Sequence, residues 1–165
     1  MSLNYPVRGS VSEAFKLLSD PDFIVARSTA IGEFEATCEV EQQGEKTVLF
    51  ITRRIAWHNM PKMLSKVLNP AQTVNFVEQW WCEGEDMVGE YVADIVDLPI
   101  AINAGLRLRP TPEGCEYLVK HGATAGIPLI SGAVERFIVS QTGEGVGAEI
   151  DYLNQQITSR RGAGQ

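Results

Sequence analysis

The chain has 165 residues, 44% hydrophobic and 21% charged, with a formal net charge of −7. That length fits one domain with a sizeable core, and the composition is that of a folded domain rather than a disordered segment. The acidic balance argues against phosphate-backbone partners, and no apolar run approaches the roughly 18 residues of a membrane span.

Leu3 to Gly9 reads as a first strand. Ser10 and Glu13 then have capping-box spacing, and Val11, Ala14, Phe15 and Leu18 form the buried face of a short helix. Asp20-Pro21 starts a second helix, with Asp20 as cap and Pro21 at the first helical position, and Gly32 ends it. The period then changes to two. Phe34, Ala36, Cys38 and Val40 alternate with Glu33, Glu35, Thr37, Glu39 and Glu41, which predicts a half-buried strand with an acidic outer face. Thr47 to Trp57 is the next strand.

Pro61 to Leu68 predicts a short amphipathic helix, with Met60, Met63, Leu64, Val67 and Leu68 on one face. It reads either as a flap over a pocket mouth or as a closure for one end of the sheet. Thr73 to Cys82 and Met87 to Val96 form a hairpin around Gly84-Glu85-Asp86. Ile100 to Arg109 and Cys115 to Ala125 are the last two strands. An apolar-periodic helix follows from near Pro128 to Arg161, with Ile130, Val134, Phe137, Val146, Ile150, Leu153 and Ile157 at steps of mostly three or four. Gly143, Gly145 and Gly147 interrupt it; they predict either a break near Thr142 to Gly145 or a softened segment that bends.

The order predicts an α+β fold: strand, two short helices, six strands in an antiparallel meander, and a long helix covering one sheet face. With those residues the chain resembles the helix-grip superfamily of START and birch-pollen-allergen proteins, which includes polyketide cyclase-like members. It is similar in particular to a bacterial branch of unknown function. The matching stretches are Tyr5-Pro6 with Ala14-Phe15 and Leu18, Asp20-Pro21-Asp22-Phe23, Glu78-Gln79-Trp80, and Ile127 to Gly132 before Glu135-Arg136. The resemblance implies one domain over residues 1–160, a pocket between sheet and helix, and no shared mechanism. Residues 161–165 are expected to fray.

Alternation places Cys115, Tyr117, Val119, His121 and Ala123 on the inner face of the last strand. His121 is a candidate acid or base, or a histidine bonded inside the core. Glu78 lies between Phe76 and Trp80, where loss of solvent raises a carboxyl pKa. Arg53, among Leu49, Ile51, Ile55 and Trp57, either pairs with Glu78 or joins it around a ligand's polar end. Trp57, Phe76, Trp80, Trp81 and Tyr91 are candidate aromatic walls, and equally ordinary core.

The expected function is non-catalytic binding of a hydrophobic or amphipathic small molecule, lipid-like, isoprenoid or polyketide-like. The expected ligand-binding residues are Arg53, Trp57, Phe76, Glu78, Trp80, Tyr91, Tyr117, His121 and Phe137. A cyclase- or hydrolase-type enzyme using His121 or Glu78 is one alternative; a ligand-free protein-interaction module is the other. No cofactor or metal is expected, since His58 and His121 lie on different segments and no phosphate loop or Gly-x-Ser-x-Gly elbow occurs. Cys38, Cys82 and Cys115 are spaced as reduced thiols, and Met1 to Arg8 lacks a signal-peptide pattern, so the expected compartment is the cytoplasm. Exposed sheet edges leave a homodimer possible.

Overall fold

The computed structural model describes residues 1–163. In chain order it contains β1 (Ser2–Val7), α1 (Val11–Leu18), α2 (Pro21–Ala30), β2 (Phe34–Gln43), β3 (Lys46–Ala56), a short 3₁₀ helix (Lys62–Lys66), β4 (Ala71–Glu83), β5 (Asp86–Ile95), β6 (Ile100–Thr111), β7 (Gly114–Ala125) and α3 (Ser131–Ala163). The strands form one seven-stranded sheet in the order β1-β7-β6-β5-β4-β3-β2, antiparallel throughout. This is the α+β helix-grip arrangement. The meander β2 to β7 follows from short turns, and β1 returns beside β7 because α1 and α2 carry the chain across to the far edge.

Local chemistry sets the helix starts. Glu13 N–H donates to Ser10 Oγ at 3.1 Å and Ser10 N–H to Glu13 Oε1 at 3.3 Å, completing the capping box of α1. Asp20 Oδ1 accepts from Asp22 N–H at 2.9 Å at the start of α2. Each cap contributes about 1 kcal/mol.

The core lies between the sheet's inner face and α3. Val134, Ile138, Val146, Ile150, Leu153 and Ile157 of α3 are buried. At roughly 1.5–3 kcal/mol per fully buried side chain, that stripe outweighs about 1 kcal/mol for each helical glycine. The helix therefore runs unbroken through Gly143, Gly145 and Gly147, and the expected loop does not form. Val134 and Ile138, not Phe137, hold the fully buried positions in its first half; Phe137 is half-buried and packs edge-on to Trp57. The helix continues through Ala163, and near its end Arg161 Nη2 donates to Glu13 Oε1 at 2.9 Å. Positions 164 and 165 lie outside the described residues.

Two further expectations are corrected. Within residues 61–68 only Lys62–Lys66 is helical, as a 3₁₀ turn rather than an amphipathic α-helix. Three residues per turn cannot keep the five apolar side chains on one face. Leu64 and Leu68 are buried, but Met63 is 53% exposed. The second concerns β2. Its pairing with β3 shifts register between Phe34 and Thr37, around Glu35 with φ of 54°. A one-residue irregularity exchanges the faces. Phe34 is consequently exposed beneath the Arg54 guanidinium, and Glu33 turns inward instead of joining an acidic outer face.

Candidate functional site

The inner register of the central strands matches the alternation. Leu49 pairs with Glu78 and Ile51 with Phe76 across β3 and β4. Glu78 pairs with Tyr91 and Trp80 with Gly89 across β4 and β5. Gly89 is required there: a Cβ would stand 2.8 Å from the Trp80 ring and 2.9 Å from Gln79 O. The missing side chain lets the indole lie flat on β5. Trp80 then stacks on Tyr117 at 6.4 Å, and Phe76 meets Tyr91 edge-on at 5.4 Å.

Above these rings, beneath α3, is a cavity of about 300 Å³. That is the lower end of the range of about 300–1,000 Å³ for small-molecule sites. Phe76, Trp80, Tyr91, Tyr117 and Trp57 line it, with Ile51, Ile102, Leu106 and Val119 between them. Its helical wall is Gln141, Thr142, Glu144, Gly145, Val146, Ala148 and Glu149. Small side chains on this stretch leave the space open; a Cβ at Gly145 would meet nothing within 4 Å. Gln141 and His58 exchange bonds at the rim, with His58 N–H to Gln141 Oε1 at 2.9 Å and Gln141 Nε2 to His58 O at 3.0 Å.

One wall carries an ion network. Arg53 Nη1 is 2.7 Å from Glu149 Oε1 and 2.8 Å from Glu33 Oε1, and Arg27 Nη2 is 3.7 Å from Glu149 Oε1. Arg53 also lies over the Phe76 ring at 4.3 Å. Burial disfavours every charge here, and the partners decide the outcome. For Glu149, Arg27 and Arg53 outweigh burial and hold its carboxyl below the usual range. For Arg53, burial is likewise outweighed by Glu149 and Glu33, which raise its pKa. Glu33 has Arg53 as its close partner, and burial wins, raising its pKa. Glu149 is thus the principal counter-ion of the network.

Glu78 stands apart. Among the described residues no cation lies within salt-bridge distance of it. Burial pushes its carboxyl up to about 7; Arg27 pulls it down and Glu149 pushes it further up. Glu78 lines the cavity and is half-buried there, between aromatic rings. The Trp57 indole N–H, and Nε of Arg27 and Arg53, are buried without a hydrogen-bond partner among the described residues, whereas the Trp80 indole N–H lies close enough to the Glu78 carboxyl to lower its pKa. The phenols of Tyr91 and Tyr117 are held well above their ordinary range, chiefly by burial, and stay protonated as donors.

Of the expected ligand-binding residues, Arg53, Trp57, Phe76, Glu78, Trp80, Tyr91 and Tyr117 come together around this cavity. Arg53 does not pair with Glu78: the register sets it opposite Val74, where α3 and the turn between α2 and β2 supply its carboxylates. His121 is not in the cavity wall. It is buried with Nε2 at 3.0 Å from Val139 O, and its backbone N–H donates to Met1 O at 2.8 Å. Phe137 backs Trp57 without reaching the cavity, and Trp81 points outward beneath Lys46 Nζ, 4.9 Å away. The 3₁₀ turn contributes no wall residue. Arg27, Glu33 and Glu149 escaped the sequence reading. The signal for two of them was present: Arg27 lies four residues after Phe23 and three after Ile24 on the buried side of α2, and Glu149 falls between Val146 and Leu153 on the apolar stripe.

The three cysteines are free, and burial raises the Cys38 and Cys115 thiols to about 11, which leaves neither as a ready thiolate. Among the described residues no group of three metal-ligating side chains converges, and no helix is long and apolar enough to cross a membrane.

Comparison with solved structures places the fold. The chain is similar to the protein TTHA0849 of Thermus thermophilus, with TM-score 0.63 and 13% identity over 97% of each chain. It is similar to the di-domain ARO/CYC StfQ of the steffimycin biosynthetic pathway, with TM-score 0.62 and 14% identity over 98% of this chain and 52% of that one. A norcoclaurine synthase point mutant of Thalictrum flavum, in complex with a transition state analogue, matches with TM-score 0.55 and 15% identity over 98% and 94% of the two chains. At such identities the likeness is one of fold. No curated protein matches the sequence. The profile of DUF2505, described as a protein of unknown function, spans residues 1–157, and the chain belongs to that family.

Proposed function

We propose that this protein binds a small amphipathic molecule in the cavity between sheet and α3. One observation carries the reading: an aromatic-walled space of about 300 Å³ is lined by the Glu78 carboxyl, which no cation among the described residues reaches within salt-bridge distance. Buried donors and carboxyls are normally satisfied, and each unsatisfied one costs about 1–3 kcal/mol. A ligand with an apolar body and a polar group would meet both needs. The helix-grip neighbours, one holding a transition state analogue, agree with a fold that accommodates small molecules.

Native mass spectrometry of freshly purified protein tests this. The expected result is a co-purified small molecule, or uptake of one from a panel of lipids, isoprenoids and aromatic amphiphiles. Protein that stays empty across the whole panel contradicts the proposal.

A second reading has its own support. A carboxyl with pKa near 7 in an apolar wall has the property wanted of a general acid or base at neutral pH. In that case Glu78 moves the proton, while His121, outside the cavity, does not touch the substrate. Glu78→Gln would then abolish turnover of a bound substrate while its binding persists.

A further inference from the structure

The walls of the cavity carry an unbalanced charge. Four glutamates, Glu33, Glu78, Glu144 and Glu149, line it against two arginines, Arg27 and Arg53; Glu144 and His58 stand at its solvent-exposed rim, and no lysine among the described residues joins them. Both guanidiniums already face carboxylates of the network. An anionic ligand would therefore find no free cation, and would meet Glu78 besides. A carboxylate buried without a partner is costly unless it takes up a proton or gains a counter-ion.

The surroundings of Glu78 say which counter-ion fits. Phe76 and Trp80 flank it on the same strand face, and Tyr91 is its cross-strand partner. Tyr117 closes the group by stacking on Trp80. Aromatic faces around a carboxylate attract an organic cation twice, through the ring quadrupole and through charge. The same wall already shows the pairing in Arg53 over Phe76. A hydrated metal ion gains little from such rings, whereas an alkylammonium with an aromatic or aliphatic body gains from both halves.

We propose that Glu78, with Phe76, Trp80, Tyr91 and Tyr117, forms a recognition site for the protonated amine of a compact amphipathic ligand. This rests on the cavity-binding reading and gives it a ligand class. Amine binding should strengthen as pH rises from 5 through 7, because ionised Glu78 is the form that attracts a cation. The charged groups facing Glu78 are Arg27 from α2, Arg53 from β3 and Glu149 from α3, with Glu33 beyond Arg53. The phenols Tyr91 and Tyr117 and the thiol of Cys38 on β2 complete its titratable surroundings. The phenols and the thiol stay protonated through that range and Glu149 stays ionised; Glu33, also raised by burial, is bonded to Arg53, and comparison with Glu78→Gln isolates the part of the change that belongs to Glu78.

The test compares three compounds with one naphthalene body: 2-(2-naphthyl)ethylamine, its N-acetyl derivative, and 3-(2-naphthyl)propanoate. Calorimetry at pH 7.5 should show the amine binding roughly tenfold more tightly than the neutral amide, with the carboxylate weakest. At pH 6, titrations in buffers of different ionisation enthalpy should show a proton released on amine binding. Glu78→Gln should remove both the preference and the proton release; if that variant does not fold, the wild-type series and its proton release decide alone. If the amide or the carboxylate binds as tightly as the amine, the inference is overturned while the cavity reading stands. If none of the three binds, the inference is likewise overturned, and the native mass spectrometry decides the cavity reading separately.

Discussion

Two stretches of α3 face the same sheet and do opposite things. From Ile150 to Ile157 the helix presents Ile150, Leu153 and Ile157, all buried against β1, β7 and α1. Ile157 reaches the backbone at Gly9, where a Cβ would stand only 3.0 Å from its Cδ1. From Gln141 to Glu149 the same face offers Thr142, Gly145, Ala148 and Glu149, and the cavity opens there. The contrast shows how this fold makes a container. Nothing is hollowed out of the sheet; a helix keeps its path, supported on both sides by apolar residues, while its middle turns shed side-chain volume and take on charge.

That contrast can be broken from either side. The largest expected effect is in the charged stretch. Glu149→Ala should destabilise the protein by about 3–5 kcal/mol in urea unfolding at pH 7, because Arg53 and Arg27 lose their shared counter-ion. A loss below about 1 kcal/mol would mean the network is solvated rather than buried. The wild type should also weaken in acid: the lowered pKa of Glu149 gives stability that is present above the normal carboxylate range and lost as pH falls through its folded value.

In the packed stretch, Leu153→Ala should cost about 2–5 kcal/mol through lost transfer and an unfilled void. Thr142→Ala, at the cavity wall, should cost under about 1.5 kcal/mol by the same denaturation measurement, since its hydroxyl only back-bonds to Ile138 O at 2.8 Å.

Glu78 predicts the opposite sign. Its folded pKa is raised from 4.5 to about 7, so its contribution is fully favourable below the unfolded value and is lost as pH rises through 7. Ionised above pH 8, it costs roughly 3 kcal/mol. Glu78→Gln should therefore stabilise the protein at pH 8 by about 2–3 kcal/mol and leave it nearly unchanged at pH 4. Equal effects at both pH values would show that Glu78 titrates like an exposed carboxyl. The smallest effect is Gly145→Ala, expected to raise stability by about 0.5–1 kcal/mol, since its Cβ enters open space in a continuous helix.

The two stretches also differ in how legible they were in sequence. The packed one follows from periodicity: Ile150, Leu153 and Ile157 recur at helical steps. So does the sheet register: alternation alone sets Glu78, Arg53, Trp80 and Tyr117 inward. The cavity wall of α3 was harder because its signal is volume that is missing. The glycines read as a break, whereas a helix packed on both sides carries them. The ion network was hidden for another reason. Arg53 meets Glu149 across 96 positions of chain, and Glu33 turns inward only because of an irregularity at Glu35 that alternation cannot show. Charged residues inside an apolar stripe, such as Glu149 and Arg27, were the available clue. His121 had the right parity and the wrong depth: strand alternation gives a face, and the close approach of Val139 decides that this part of the face is filled.

The central claim is that the space under residues 141–149 of α3 receives a ligand. Methyl-detected NMR during titration with 2-(2-naphthyl)ethylamine tests it most directly. The account predicts shifts at Ile51, Ile55, Ile102, Leu106, Val119 and Val146, with Leu153 and Ile157 unmoved. Shifts confined to outward-facing Val77 and Val92, or no saturable shift at the cavity methyls, would contradict it.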